Sequence, residues 1–170
     1  MGKGFESEPE PAVALPSGVQ QFQGDLDATG LRFGIVSGRF NPDLVQALVR
    51  AASERLIACG AEPDAIEVAW VPGAFEVSTV LERWAAAGRF DALIGMGTVI
   101  QGKTSHAEVI GEAVAASMQL IARTYQLPVI DTIVVAPSYD IAEPRCVGPE
   151  SRGTYAAAAA IEMAQLMKKL

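Results

Sequence analysis

The stretch ALIGMGTVI, residues 92–100, is a nearly continuous apolar run with the length of a β-strand. Three further runs share its length and its richness in strand-forming residues: LRFGIV (31–36), AIEVAWV (65–71) and VIDTIVV (129–135). Strands without polar alternation are typical of parallel sheets that are buried on both faces. The four runs therefore predict a central sheet that is covered by helices.

Segments with helical patterns alternate with these predicted strands. The first predicted helix has Asn41 as N-cap, Pro42 at its first position and Gly60 at its end, and the second ends at Gly88. A third follows residue 105, an Ala-rich fourth closes the chain, and residues 136–153 between the last strand and that helix read as a long loop. This alternation predicts a mostly parallel four-stranded sheet in a three-layer α/β/α sandwich.

Length and composition favour one domain. Of the 170 residues, half are apolar, which is enough for a core without disulfides or a structural metal. The first 18 residues are rich in Glu, Pro, Gly and Ser and are predicted to be a disordered tail, so that one domain spans residues 19–170.

Charge and cysteine usage narrow the possible partners and the compartment. With 13 basic against 20 acidic residues the net charge is −7 and no basic cluster stands out, which argues against nucleic acid as a partner. Cys59 and Cys146 lack CxxC spacing, so neither a zinc site nor a disulfide framework is expected. The N-terminus lacks a signal-peptide pattern and no apolar run reaches the roughly 20 residues of a membrane span. We therefore expect no membrane association and a cytoplasmic location.

Ligands of parallel α/β sheets bind at the carboxyl ends of the strands, so the loops at those ends are the candidate site. GMGTVI does not complete a G-x-G-x-x-G fingerprint, because Ile100 stands where the third glycine is required. Neither the phosphate loop of nucleotide hydrolases nor a G-x-S-x-G motif is present. A nicotinamide cofactor and a hydrolase triad are therefore not expected.

His106 is the only histidine of the chain. Ser105 and Glu108 form an S-x-x-E capping box, which places His106 at about the first position of the third helix. The positive end of the helix dipole favours the neutral imidazole there. Two interpretations remain open: a polar surface residue, or a base that accepts and returns a proton.

Four other polar or aromatic residues of these loops also have two interpretations each. Phe40 either packs locally or stacks on a planar ring. Glu76 either complements a helix dipole or accepts hydrogen bonds from a polyol. Arg145 and Arg152 are either solvated or bind a phosphate near the start of a helix.

Four motifs, taken in order, resemble the lumazine synthase family: GRFN (38–41), VPGAFEV (71–77), GTVIQGKTSH (97–106) and AAIEMAQLMKKL (159–170). The resemblance covers about residues 20–170. It implies a flavodoxin-like fold, a homo-oligomer that is a pentamer or a multiple of pentamers, and no metal or organic cofactor. It also implies a transferase of riboflavin biosynthesis, which condenses 5-amino-6-(D-ribitylamino)uracil with 3,4-dihydroxy-2-butanone 4-phosphate.

The resemblance also implies a role for each matching residue. Phe40 would stack on the pyrimidine, His106 would transfer protons, and Arg145 would reach the phosphate from a neighbouring subunit. The remaining implied substrate contacts are with the ring and ribityl chain (Ala74, Phe75, Glu76), with the heterocycle through the backbone (Thr98, Val99, Ile100), and with the phosphate (Lys103, Thr104).

The chain departs from the family pattern in the half of the site that a neighbour supplies. Asp131 stands where an aromatic or other apolar wall residue is usual, Arg152 takes the place of a lysine, and Ser78 replaces a common proline. These departures keep open a non-catalytic lumazine- or flavin-binding or shell protein of the same fold. The other alternative is the related archaeal-type riboflavin synthase, which shares the fold and binds lumazine.

Overall fold

The computed structural model describes residues 13–102 and 106–170, which contain one four-stranded parallel sheet. The strands are β1 (Phe33–Gly38), β2 (Ile66–Val71), β3 (Ala92–Ile100) and β4 (Val129–Ala136), in the order β2-β1-β3-β4. All three neighbouring pairs are parallel, which confirms the prediction of a mostly parallel sheet. β1 begins two residues later than predicted and continues to Gly38, so the first loop is shorter than the sequence indicated.

The helices flank the sheet, and the first three of them connect its strands. They are α1 (Pro42–Ala58), α2 (Val77–Ala87), α3 (His106–Tyr125), α4 (Tyr139–Cys146) and α5 (Arg152–Lys169). Short 3₁₀ turns at Pro63–Ala65 and Ala74–Glu76 precede β2 and α2. None of the helices in the described ranges is long and apolar enough to cross a membrane.

The prediction of an uninterrupted loop between β4 and the last helix is wrong, since α4 occupies eight of its residues. Pro144 inside this helix removes one backbone hydrogen bond, and the segment has no clear apolar stripe. The helix instead buries Ala142 and Cys146, four residues apart on one face, against the core. Tertiary burial therefore overrides a local pattern that reads as a loop.

Two apolar cores lie on opposite faces of the sheet and define the three layers. One core joins α1, α4 and α5 to inward-facing residues such as Phe33 and Ile94. The other joins α2 and α3 to residues such as Val36 and Leu93. Adjacent strand residues thus alternate between the two cores, as expected for a sheet that is covered on both faces. The flavodoxin-like α/β sandwich is confirmed.

Asn41 directly precedes α1, as predicted, but it does not cap the helix with its side chain. Its backbone is left-handed, with φ of 54°, and no side-chain capping bond is formed. The side chain instead donates from Nδ2 to the carbonyl oxygen of Thr98, over 3.4 Å. The residue therefore ties the loop after β1 to the end of β3.

Gly153 allows α5 to approach α1 closely. A Cβ added at this position would collide with the backbone carbonyl oxygen of Leu48 and would lie 3.2 Å from the nitrogen of Ala52. Backbone atoms within a helix cannot move aside as a flexible side chain can. The first turn of α5, which carries Arg152, is therefore held at a fixed distance from α1.

Replacing Gly153 with alanine should destabilise the protein by about 1–3 kcal/mol, the usual cost of overpacking. For a chain of this size that corresponds to a loss of roughly 2–12 °C in the melting temperature. Differential scanning calorimetry would measure it. Gly102→Ala is the control, because a Cβ there meets no atom of the described residues within 4 Å. Equal melting temperatures for the two variants would contradict the close approach of α5 to α1.

Candidate active site

Phe40 and Glu76 come together at the carboxyl ends of β1 and β2. A Cβ added at Gly73 would lie 3.1 Å from Oε2 of Glu76 and 3.4 Å from the ring of Phe40, so both side chains flank this glycine. Phe40 is 69% exposed, which argues against a local packing role. An exposed ring next to a carboxylate and a bare backbone can stack on a planar ligand and accept its hydrogen bonds.

The end of β3 also contacts the residues at the carboxyl ends of β1 and β2. The Thr98 side chain is buried, and its Oγ1 donates to the carbonyl oxygen of Phe40 over 3.3 Å. A Cβ added at Gly97 would lie 3.0 Å from Cβ of Ala74, so the bare strand lets the 3₁₀ turn lie against it. The structure therefore brings Phe40, Ala74, Glu76 and Thr98 together, and we call them the ring group.

The other residues predicted near the ring group have different surroundings. Val99 and Ile100 are half-buried at the end of β3, immediately after Thr98. Phe75 is 59% exposed and lines a groove of about 360 Å³ between α2 and α3. Phe75 thus faces a groove that none of the ring group lines.

His106 is the first residue of α3, as predicted, and it is exposed. β3 ends at Ile100, so the strand end and the helix start bracket a short connection after the ring group. Lys103 and Thr104, predicted to bind phosphate, lie outside the described residues, as does Ser105 of the predicted capping box. The phosphate turn and the capping box therefore stay predictions.

A second set of polar residues lines a cavity of about 480 Å³ beside the edge strand β4. Its lining includes Asp131 on β4, Arg145 at the end of α4, and Arg152 and Tyr155 on the first turn of α5. We call these four residues the β4 group. No member of the ring group lines this cavity. The structure thus separates the predicted site residues of one chain into two groups.

Three contacts order the segment that carries Arg145 and Arg152. Ser151 is fully buried, and its Oγ donates to the carbonyl oxygen of Cys146 over 2.8 Å while it accepts from the N–H of Gly153 over 3.2 Å. The end of α4 is thereby tied to the start of α5. The guanidinium of Arg152 lies 5.7 Å from the centre of the Tyr155 ring, within the range of a cation–π contact.

The other end of α4 is fixed by a hydrogen bond from the Tyr139 hydroxyl to Oδ2 of Asp43 on α1. This bond to a carboxylate raises the pKa of Tyr139 to about 12, because the phenol proton is stabilised. Sequence reasoning missed this pair, whose members are 96 residues apart, and it also missed Tyr155. For Tyr155 a signal was present: Arg152 and Tyr155 have the i, i+3 spacing of neighbours on a helix surface.

Asp131 is the single acidic member of the β4 group. The backbone N–H of Ile133 donates to its Oδ1 over 2.9 Å. The Asp131 side chain is exposed, but partial desolvation by the surrounding protein raises the pKa of its carboxyl, and the Ile133 hydrogen bond opposes this only in part. No ion pair between the described side chains joins Asp131 to Arg145 or Arg152.

Within residues 13–102 and 106–170, no three His, Cys, Asp or Glu side chains are grouped closely enough to hold one ion. Cys59 and Cys146 are both free thiols. The side chains of the two groups can stack on a planar ring, form hydrogen bonds and bind a phosphate through guanidinium groups, and His106 can transfer protons.

In the comparison with known proteins, the family model and the relatives carry the same name. Residues 30–168 match the family model described as 6,7-dimethyl-8-ribityllumazine synthase. A protein of that name from an Azoarcus species is 38% identical over 158 residues, which is 93% of this chain and 99% of the relative. One of the same name from Clostridium kluyveri is 38% identical over 151 residues, 88% of this chain and 97% of the relative. The matched range, 30–168, spans the ring group, His106 and the β4 group.

Proposed function

This chain belongs to the 6,7-dimethyl-8-ribityllumazine synthase family, and from that membership we propose which residues perform the reaction and how copies of the chain assemble to do so. As a member it is a transferase of riboflavin biosynthesis. It condenses 5-amino-6-(D-ribitylamino)uracil, the amine substrate, with 3,4-dihydroxy-2-butanone 4-phosphate, the phosphate substrate. The products are 6,7-dimethyl-8-ribityllumazine, inorganic phosphate and water. The observation that carries our assignment is the clustering of the ring group at the carboxyl ends of three strands.

The ring group binds the amine substrate. The exposed face of Phe40 stacks on the pyrimidine ring, which is planar and apolar on its faces. The Glu76 carboxylate accepts hydrogen bonds from hydroxyl groups of the ribityl chain. Backbone groups of Thr98, Val99 and Ile100 hold the edge of the heterocycle. Ala74 and the backbone of Phe75 complete the contacts, since the Phe75 side chain faces the groove between α2 and α3.

His106 transfers protons between the two reactants. The amine attacks the ketone, the resulting carbinolamine loses water to give an imine, phosphate leaves, and ring closure releases a second water. Each step moves a proton to or from nitrogen or oxygen, and a histidine at the start of α3 is suited to accept and return it. Lys103 and Thr104 are proposed to bind the phosphate beside it.

The separation of the two groups supports a site that two copies of the chain share. One copy supplies the ring group and His106, and its neighbour supplies Arg145 and Arg152, whose guanidinium groups bind the phosphate. A contact between unlike surfaces closes into a ring when the rotation per copy allows it, and a pentamer or a multiple of pentamers is the assembly we propose. We place it in the cytoplasm, where Cys59 and Cys146 stay free.

A second candidate is a lumazine- or flavin-binding protein of the same fold that does not catalyse the reaction. Asp131 favours it, because a carboxylate replaces the apolar wall that the family resemblance implies at this position. The intact ring group and His106 favour the enzyme.

Mixing the purified protein with both substrates tests the proposal. Lumazine fluorescence should rise well above the spontaneous rate measured without protein. A rate equal to the spontaneous one, together with binding of added lumazine, would support the binding protein instead. Incubation with lumazine alone is the further control, since formation of riboflavin there would indicate a riboflavin synthase.

A further inference from the structure

One carboxylate oxygen of Asp131 is held by a backbone hydrogen bond, and the other is free to accept a hydrogen bond from a ligand. Oδ1 accepts the N–H of Ile133 over 2.9 Å, and this N–H belongs to the edge strand β4. Oδ2 has no hydrogen bond or ion pair to any residue in the described ranges. The side chain lines the 480 Å³ cavity of the β4 group. A fixed carboxylate with a free oxygen can accept a ligand's hydrogen bonds without first losing much rotational freedom.

The cavity keeps its negative and positive groups apart. Arg152 lies over Tyr155, and neither Arg152 nor Arg145 forms an ion pair with Asp131. The arginines therefore stay available for an anion, while Asp131 repels one. The Asp131 side chain is exposed to the cavity, and a carboxylate oxygen without a partner is best matched by ligand groups that donate hydrogen bonds.

The two substrates also differ in their charge and in their hydrogen-bond donors. The phosphate substrate is an anion and has no N–H group, so it suits the arginines. The amine substrate has no anionic group, and its ring, its amino groups and its ribityl hydroxyls all donate hydrogen bonds. The chemistry of the cavity thus assigns one side to each substrate.

We propose that Asp131 is a specificity-determining residue, whose free carboxylate oxygen accepts hydrogen bonds from N–H or O–H groups of the amine substrate. This inference rests on the proposed function, because it takes the two substrates and the shared site from it. Through Asp131, the wall of the site that β4 forms makes a polar contact with the amine substrate. The charge of Asp131 also explains how the phosphate is kept to the arginine side of the cavity.

The test compares Asp131→Leu and Asp131→Asn with the unmodified protein. KM is measured for each substrate with the other saturating, and the dissociation constant of the amine substrate alone is measured by equilibrium titration. Asp131→Leu should raise KM and the dissociation constant for the amine about 10- to 100-fold, the range for hydrogen bonds to a charged group. KM for the phosphate substrate should stay the same or fall, because the substitution removes a charge that repels an anion. Asp131→Asn keeps an acceptor oxygen and should recover part of the loss.

Asp64→Leu is the matched control, since it removes an exposed carboxylate from the 3₁₀ turn before β2, which does not line the cavity. Unchanged constants for the amine in both Asp131 variants would overturn the inference, as would a fall in KM for the phosphate substrate alone. If Asp131→Leu fails to assemble, the constants of Asp131→Asn for the amine substrate test the inference. Absence of product with the unmodified protein would instead overturn the proposed function, and the titration with the amine alone would still test Asp131.

Discussion

His106→Ala should slow lumazine formation by about 10²–10⁴-fold and leave a measurable rate. That range is what one positioned acid or base contributes to proton transfer. Holding two reactants together contributes more, roughly 7–11 kcal/mol in favourable cases. In the proposed site the ring group and the β4 group bind the substrates without His106, so the variant should keep the larger contribution, which comes from proximity.

Steady-state kinetics with both substrates would measure this effect. KM for each substrate should change little and kcat should fall, because the role proposed for His106 is to move protons during the reaction. Glu112→Gln is the control, since it changes an exposed residue of the same helix. A loss greater than 10⁴-fold in a variant that still binds both substrates would contradict this ranking of proximity above proton transfer.

The sequence was sufficient to predict the sheet and four of the five helices. Apolar runs located the strands, and Gly60 and Gly88 located the ends of two helices because left-handed backbone favours glycine there. α4 was missed because Pro144 and its short length hide a helix that only burial of Ala142 and Cys146 stabilises. The local sequence pattern predicts a helix well when the segment is long. Whether a short segment forms a helix depends on its tertiary contacts.

The candidate site also contains features that the sequence predicted and features that it did not. Residues next to one another at strand ends, such as Phe40 and Glu76, were predicted because parallel strands share one edge. The bond between Tyr139 and Asp43 was not, since no spacing relates side chains 96 residues apart. The separation of Arg145 from the ring group was likewise not derivable from residue types, and only the family resemblance implied it.

Arg145→Ala should lower kcat/KM for the phosphate substrate about 30-fold or more, since truncating one partner of a desolvated charge pair typically costs 2–5 kcal/mol. The guanidinium is exposed at the end of α4 in the single chain, so removing it should leave the fold intact. Arg50→Ala removes an exposed arginine of α1 that does not line the cavity, and it should leave kcat/KM unchanged.

Mixing two impaired variants then tests whether the site is shared between copies. If one copy supplies His106 and its neighbour Arg145, random assembly of equal amounts of His106→Ala and Arg145→Ala chains leaves about a quarter of the sites with both residues intact. The co-assembled mixture should therefore approach about a quarter of the unmodified rate, far above either variant alone. If both residues of a site come from the same chain, no intact site can form. The mixture would then show only the mean of the two variants, and the shared site would be wrong.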